Sequence, residues 1–156
     1  MKVLFGVDVG GTDIKLGAFD WKSQKLLKKW AIKTDLSNEG KQIIPDVAKE
    51  IQSYLCENTL SEADVYGIGM GIPGPVDKDG NVEVCVNLFW NNFNPAEEMR
   101  KFFPHAYIQA GNDANVAALG EFVQGAGRKY KTMMLITLGT GVGGGIILNG
   151  DIVLGA

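Results

Sequence analysis

Residues 3–9, Val-Leu-Phe-Gly-Val-Asp-Val, are rich in strand formers, and after Gly10-Gly11-Thr12-Asp13 the apolar Ile14, Leu16 and Ala18 alternate against Lys15 and Gly17. A period of two is that of a half-buried strand, so the opening reads strand, glycine turn, strand. Residues 26–33 offer a third strand, which makes an antiparallel meander, and 35–40 form a polar connection. From Gln42 the period changes. Ile43, Ile44, Val47, Ile51, Tyr54 and Leu55 follow helical spacing, with Pro45 tolerable because it falls near the first turn.

The strand pattern returns over residues 65–71 and runs into Ile72-Pro73-Gly74-Pro75, which must turn because proline cannot donate to a central ladder. Another short strand is expected over 82–86. Asn94-Pro95-Ala96-Glu97 then opens a helix, with Asn94 as N-cap, Pro95 at the first position and Glu97 closing a capping-box-like pair, and that helix is expected to end near Phe103-Pro104. Tyr107-Ile108 is a strand leading to Gly111-Asn112-Asp113. Beyond it Ala114, Ala117, Ala118, Leu119, Phe122 and Val123 form a helix that stops at Gly125 or Gly127, which puts Asp113 at a helix N-terminus. Residues 133–137 are again a strand, 139–145 a glycine turn and 146–148 a strand.

This last hairpin restates the first: Asp8-Val-Gly-Gly-Thr and Thr137-Leu-Gly-Thr-Gly both precede a β return. The repetition predicts an internal duplication. A duplicated unit of this size needs a second copy about as long as the first, so the chain reads as a front half, with one lobe over 1–125 and the start of a second over 126–156.

Composition narrows the function. The 156 residues are 46% hydrophobic with a net charge of −3, an ordinary globular balance that gives no field for gathering nucleic acid or an anionic membrane. The apolar runs are too short to span a bilayer, and Met1-Lys2 leads into a strand rather than a signal peptide, so the expected address is the cytoplasm. Cys56 and Cys85 stand far apart without metal-ligand spacing, and buried free thiols are the expectation for both.

The unusual count is glycine, 21 residues concentrated where chemistry is suspected. Consecutive glycines let backbone N–H groups converge on a phosphate without interference from Cβ atoms. Either turn alone could be a plain hairpin; two equivalent turns in a duplicated frame are harder to dismiss. Gly139-Thr140-Gly141-Val142-Gly143-Gly144 formally matches a dinucleotide fingerprint, but too short an element follows to supply the helix that such a site needs, and no Gly-Lys-Ser/Thr ending marks a P-loop. Lys15 and Thr12 can bring a charge and a hydroxyl to a phosphate, and Asp8 can orient water on magnesium. Asp113 is the best candidate base, because a helix N-terminus favours the ionised carboxylate, although a plain N-cap is the simpler role. His105 is expected to be solvated. Phe89, Trp90 and Phe93 beside Asn87 suit packing better than a sugar platform.

Together these residues resemble the ROK family of bacterial sugar kinases, glucokinase-like members of the actin, Hsp70 and hexokinase superfamily. The likeness rests on Asp8-Val-Gly-Gly-Thr-Asp-Ile-Lys15, Gly71-Ile-Pro-Gly-Pro-Val-Asp77, Asn87-Leu-Phe-Trp90, Asn112-Asp-Ala-Asn-Val-Ala-Ala118 and Leu138-Gly-Thr-Gly-Val-Gly-Gly-Gly145, in the family's order. The resemblance implies an α/β, RNase H-like (actin-like ATPase) lobe with a mixed sheet, followed by the first hairpin of a second, incomplete lobe. It implies transfer of the ATP γ-phosphoryl group to a hexose hydroxyl, with Asp113 as general base and Asn112, Asp113, Asn87 and Gly74 at the sugar. Asp8, Gly10, Gly11, Thr12 and Lys15 would form one phosphate loop and Gly139, Thr140, Gly141, Gly143 and Gly144 the other, with Mg2+ beside Asp8, through water. The family's Gly-Glu-x-Gly-His sugar segment, its zinc motif and its adenine pocket are not in these residues, so zinc belongs only to a C-terminal half. A homodimer is implied for the full-length protein. The helix-turn-helix of the family's repressors has no room ahead of Met1. A kinase-derived module that binds sugar or a partner without transferring phosphate is the alternative.

Overall fold

The computed structural model describes residues 1–139 and 141–154. Its main sheet has five strands: β1 (Val3–Val9), β2 (Asp13–Asp20), β3 (Leu26–Lys33), β4 (Val65–Ile72) and β7 (Tyr107–Asn112), in the order β3-β2-β1-β4-β7. The first three are the expected antiparallel meander, with Val7 opposite Leu16 and Asp8 opposite Lys15, while β4 adds in parallel beside β1 and β7 in parallel beside β4. Parallel neighbours need crossovers, and the helices α1 (Ile43–Glu57) and α2 (Pro95–Arg100) lie in the two connections.

One face of the sheet carries the core. Phe5, Val7, Val9, Ile14, Leu16, Ile68, Met70 and Ile72 are buried in one cluster with Ile44, Val47, Ile51 and Leu55 of α1 and Met99 of α2. Each fully buried aliphatic side chain contributes about 1.5–3 kcal/mol, so α1 owes its stability to this stripe and tolerates Pro45 in its first turn, where N–H groups lack helical partners anyway. Tyr54 closes the cluster, edge-on to Phe5 with ring centroids 5.5 Å apart and stacked on Trp30 at 5.7 Å.

The segment after β4 is more ordered than its sequence suggests. The strand expected over 82–86 is β5 (Val82–Cys85), and it pairs in a ribbon with an unexpected β6 (Trp90–Phe93) across a tight turn in which Phe89 takes a left-handed φ of 57°. The second strand escapes the alternation rule because Asn91 and Asn92 interrupt it; what holds it is Trp90, whose buried Nε1 donates to the Gly40 carbonyl at 3.1 Å. Gly40 is itself required there, with φ of 65° and the Leu88 carbonyl 2.2 Å from where a Cβ would stand. The helix at Asn94 ends at Arg100, earlier than expected, and its cap is one-sided. Asn94 Oδ1 accepts from the Glu97 N–H at 3.0 Å and its amide donates to the Asp79 carbonyl and Asn81 Oδ1, but among the described residues the Glu97 carboxylate does not accept from the Asn94 N–H, so the box is not completed.

The helix α3 (Asp113–Val123) lies against the opposite face, where Gly71 and Gly111 admit it: a Cβ on Gly71 would meet Asp113 Cα at 3.5 Å, and one on Gly111 would meet Val116 Cγ2 at 3.3 Å. On its far side rests the second hairpin, β8 (Met133–Leu138) and β9 (Val142–Leu148), edged by β10 (Asp151–Ile152). The glycine turn is shorter than expected, because Gly143-Gly144-Gly145 are strand residues, paired with Thr137, Ile136 and Leu135. Their role is contact: a Cβ at Gly145 would lie 2.5 Å from Ala118 Cβ and 2.8 Å from the Ala114 carbonyl oxygen. Ile147 is buried on that side, while Met134, Ile136, Leu138 and Val142 point outward and are 60–81% exposed. Cys85 is buried as expected; Cys56 is exposed, because it falls on the solvent side of α1. Among the described residues no helix is long and apolar enough to cross a membrane.

Two outcomes follow from this packing. Gly145→Ala should cost about 1–3 kcal/mol by overpacking the seam against α3, seen as a lower thermal midpoint, while Gly69→Ala, whose Cβ would meet nothing within 4 Å, should leave the midpoint almost unchanged. The 156-residue chain should associate with rising concentration through the outward face of the hairpin, and Ile136→Lys with Leu138→Lys should suppress this in light scattering.

Candidate functional site

The candidate residues collect at the C-terminal ends of β1, β4 and β7, where the strands deliver their glycine loops to one edge of the molecule. Asp113 is the first residue of α3 and not its cap. The cap is Asn112, whose Oδ1 accepts from the Asn115 N–H at 3.2 Å, while its amide donates to the Gly74 carbonyl at 3.0 Å and fastens the β4 exit turn to the helix start. Asp113 is exposed and accepts from the Ala114 N–H at 2.7 Å through Oδ1. Among the described residues the carboxylate accepts no other hydrogen bond.

Two hollows meet at this carboxylate. One, of about 430 Å³, is lined by Val7, Asp8, Gly71, Asp113 and Thr137 among others; the second, of about 490 Å³, by Asn112, Asp113, Thr137, Gly139, Gly141, Gly143 and Gly144 among others. A larger recess of about 1130 Å³ next to them takes in Gly74, Asp77, Asn81, Asn112 and Asn115. Asp8, Asp113 and the second glycine loop are therefore brought together, and Gly74 and Asn112 adjoin them. Thr140, placed in that loop from the sequence, lies outside the described residues.

The first glycine loop stands to one side. Gly10 donates to the Asp13 carbonyl at 3.1 Å, and a Cβ on Gly10 would sit 2.7 Å from that same oxygen, so the turn closes this tightly only with glycine. Thr34 ties the loop down from beyond β3, its hydroxyl donating to the Gly10 carbonyl at 2.6 Å. Among the described residues the N–H groups of Gly11 and Thr12 form no hydrogen bond, which leaves two donors for an anion. Asn87 is beside this loop, its carbonyl oxygen 3.4 Å from the Cβ position of Gly11, and lines none of the three hollows. Lys15, directly across the ladder from Asp8, holds Oδ2 of that carboxylate at 3.3 Å, with both groups more than half exposed.

Around the recess, the Asp77 carboxyl is held below its ordinary range chiefly by the Asn81 side chain, then by the Asn81 N–H, and this pins the turn from Asp77 to Asn81. Burial pushes the Cys85 thiol up, and the nearby Asp113 charge adds to it, so this cysteine is an inert donor to the Pro73 carbonyl and not a nucleophile. His105 is exposed and lines none of these hollows. Two lining residues carry little signal in the sequence. Asn115 has the look of an ordinary helix residue, and only its position three after a capping Asn hints otherwise. Thr137 stands at the head of the repeated motif, where a β-branched residue is also what a strand would hold.

The chain is similar in sequence and fold to known proteins. The chain is 42% identical over 151 residues to a glucokinase of Halalkalibacterium halodurans, covering 96% of this chain and 45% of that protein. It is 34% identical over 154 residues to an N-acetyl-D-glucosamine kinase of Yersinia pseudotuberculosis, covering 97% of this chain and 48% of the other. Among solved structures, the ROK family glucokinase of Streptomyces griseus in complex with glucose and AMPPNP superposes with a TM-score of 0.82 at 30% identity, over 99% of this chain and 47% of that one. The chain thus spans about half the length of the relatives it matches. The ROK family model itself matches residues 4–156, and a chain that carries it from its first strand to its last described hairpin, on the actin-like ATPase fold of its structural neighbours, belongs to the ROK family.

Proposed function

We propose that residues 1–125 are the first lobe, and 126–156 the start of the second, of an ATP-dependent hexose kinase in which Asp113 is the general base. The observation that carries this reading is the sharing of one carboxylate by two hollows, one reaching Asp8 and the other the second glycine loop. A base for phosphoryl transfer has to touch the acceptor hydroxyl while the donor phosphates lie in line beyond it.

The reaction then divides among these residues. The sugar lies on the side of Gly74, Asn112 and Asn87. Its hydroxyl oxygen forms a bond to the γ-phosphorus, the bond from that phosphorus to the β–γ bridging oxygen breaks to release ADP, and the hydroxyl proton passes to the Asp113 carboxylate. The free N–H groups of Gly11 and Thr12, the Lys15 ammonium and the second loop hold the phosphates. The donor set suits magnesium: Asp8 is an exposed carboxylate lining the hollow beside Asp113, so it can hold a hydrated ion through water while phosphate oxygens supply the remaining ligands. When bound, the ion would supply charge neutralisation. The neighbour that binds glucose and AMPPNP and the relatives named glucokinase support this donor and make glucose the first acceptor to test.

A chimera joining residues 1–156 to the remainder of the Halalkalibacterium halodurans glucokinase supplies the second wall of the cleft. In it Asp113→Asn should lower kcat by about 10²–10⁴-fold, the usual worth of a positioned acid or base, with the KM for glucose nearly unchanged. Near-normal turnover would remove Asp113 from that role. Lys15→Ala should raise the KM for ATP more than that for glucose; the reverse order would move Lys15 to the sugar side. No hexose-dependent turnover of ATP in the unsubstituted chimera would favour a binding module. The 156 residues alone should bind ATP and hexose weakly and show no measurable turnover.

A further inference from the structure

Thr34 is the first residue after β3, 24 positions along the chain from the loop it touches. It is half-buried and makes two hydrogen bonds to that loop: its hydroxyl donates to the Gly10 carbonyl at 2.6 Å, and its N–H donates to the Thr12 carbonyl at 3.0 Å. The second bond is the end of a ladder that stops half-made. Thr12 and Thr34 stand at the register position after Asp13 and Lys33, where an antiparallel pair would exchange two bonds, yet the Thr12 N–H gives none back.

The hydroxyl bond sets the direction of the donor that follows it. In a planar trans peptide the carbonyl and the next N–H point to opposite sides, so a Gly10 carbonyl held toward Thr34 turns the Gly11 N–H away from β3. Little else fixes this peptide. Lys33 and Asp13 beside it form an ion pair at 2.7 Å, but the lysine side chain is 82% exposed and solvent screens the pair. Asn87 touches Gly11 without bonding to it. Among the described residues, Thr34 is the only one outside residues 10–13 that hydrogen-bonds to the backbone of Gly10, Gly11 or Thr12. The chemistry requires a short neutral donor here: a carboxylate cannot donate to a carbonyl, and valine has nothing to donate.

Resting on the kinase reading above, we propose that Thr34 is a positioning residue for the phosphoryl donor. It acts through the first glycine loop, holding the Gly10 and Thr12 carbonyls from outside so that the N–H groups of Gly11 and Thr12 stay unpaired and fixed in direction before phosphate arrives. Donors set in place beforehand need no reorganisation when the charge comes to them. A loop freed of Thr34 keeps its glycines and loses that orientation.

Amide hydrogen exchange in the 156-residue chain reads the clamp without any ligand. Thr34→Val keeps the branched shape and the N–H and removes the hydroxyl; Thr34→Ser keeps the hydroxyl. In the valine variant the Gly10 and Thr34 amides, which donate to Asp13 and Thr12, should exchange about fivefold faster, as for one lost hydrogen bond, while the amides of β4 keep their rates. Unchanged rates at Gly10 and Thr34, or equal acceleration throughout β4, would overturn the clamp whatever the protein catalyses. In the chimera, Thr34→Val should raise the KM for ATP about fivefold with the KM for glucose changed less than about twofold, and Thr34→Ser should restore it. Equal rises in both constants, or no rescue by serine, would overturn the positioning role and leave the kinase reading standing. An unsubstituted chimera without hexose-dependent turnover would remove the kinase reading and the phosphate role with it. Thr34→Ala carries the same expectations as Thr34→Val and replaces it if the valine variant does not fold.

Discussion

Everything at the candidate site depends on how closely α3 can approach two sheets at once. Gly71 and Gly111 bring the main sheet to within van der Waals contact of its first turn, and Gly143 and Gly145 bring the second hairpin to the other side, where only Ala114 and Ala118 intervene. Any Cβ at Gly145 would collide with helix backbone, which cannot rotate away as a long side chain can. The consequence is positional. A helix wedged between two glycine seams carries Asp113 at its tip with a fixed reach to Asp8 on one side and to the second glycine loop on the other.

The two hairpins share a motif and a ladder register but are packed differently. In the first, the apolar face of β1 and β2 is covered by α1, and the opposite face, with Gly6, Asp8, Lys15 and Gly17, stays accessible. In the second, Met134, Ile136 and Leu138 form the corresponding apolar face, but the described residues put no helix on it. The same strand pattern thus gives a covered layer where α1 packs on it and, among the described residues, an uncovered one in the second hairpin. This also separates two uses of glycine: in loops it frees N–H donors, and in β9 it removes bulk.

Much of this is legible in the sequence. The limits of β1 and β3, the helical stripe of α1 and the placing of Asp113 at a helix start all follow from periodicity and capping, because those signals are local. What is not legible depends on contacts between distant residues. Gly143 to Gly145 read as turn because local propensity cannot know that Ala114 and Ala118 will lie against them. The short strand from Trp90 to Phe93 is held by an indole bond to Gly40, fifty positions earlier, and nothing in its own four residues announces it. Cys56 reads as buried on the habits of its residue type, yet it lies on the wet face of α1 while Tyr54 and Leu55 next to it enter the core. At the site, Asp8 and Asp113 announce themselves through a glycine turn and a helix start, whereas Thr137 and Asn115 gain meaning only once the hollows bring distant strands together.

The ion pair between Lys15 and Asp8 shows how the fold balances order against availability. Both groups are more than half exposed and 3.3 Å apart, so solvent screens them and their attraction is worth about 1 kcal/mol or less. A buried pair of the same geometry would hold each partner firmly and would cost several kcal/mol to break. On the kinase reading proposed above, the ammonium would leave the carboxylate for a phosphate oxygen at little cost, and the carboxylate it releases would be open to a hydrated cation. The ladder register sets Lys15 across from Asp8, and the exposure that makes the pair weak is what would allow that exchange.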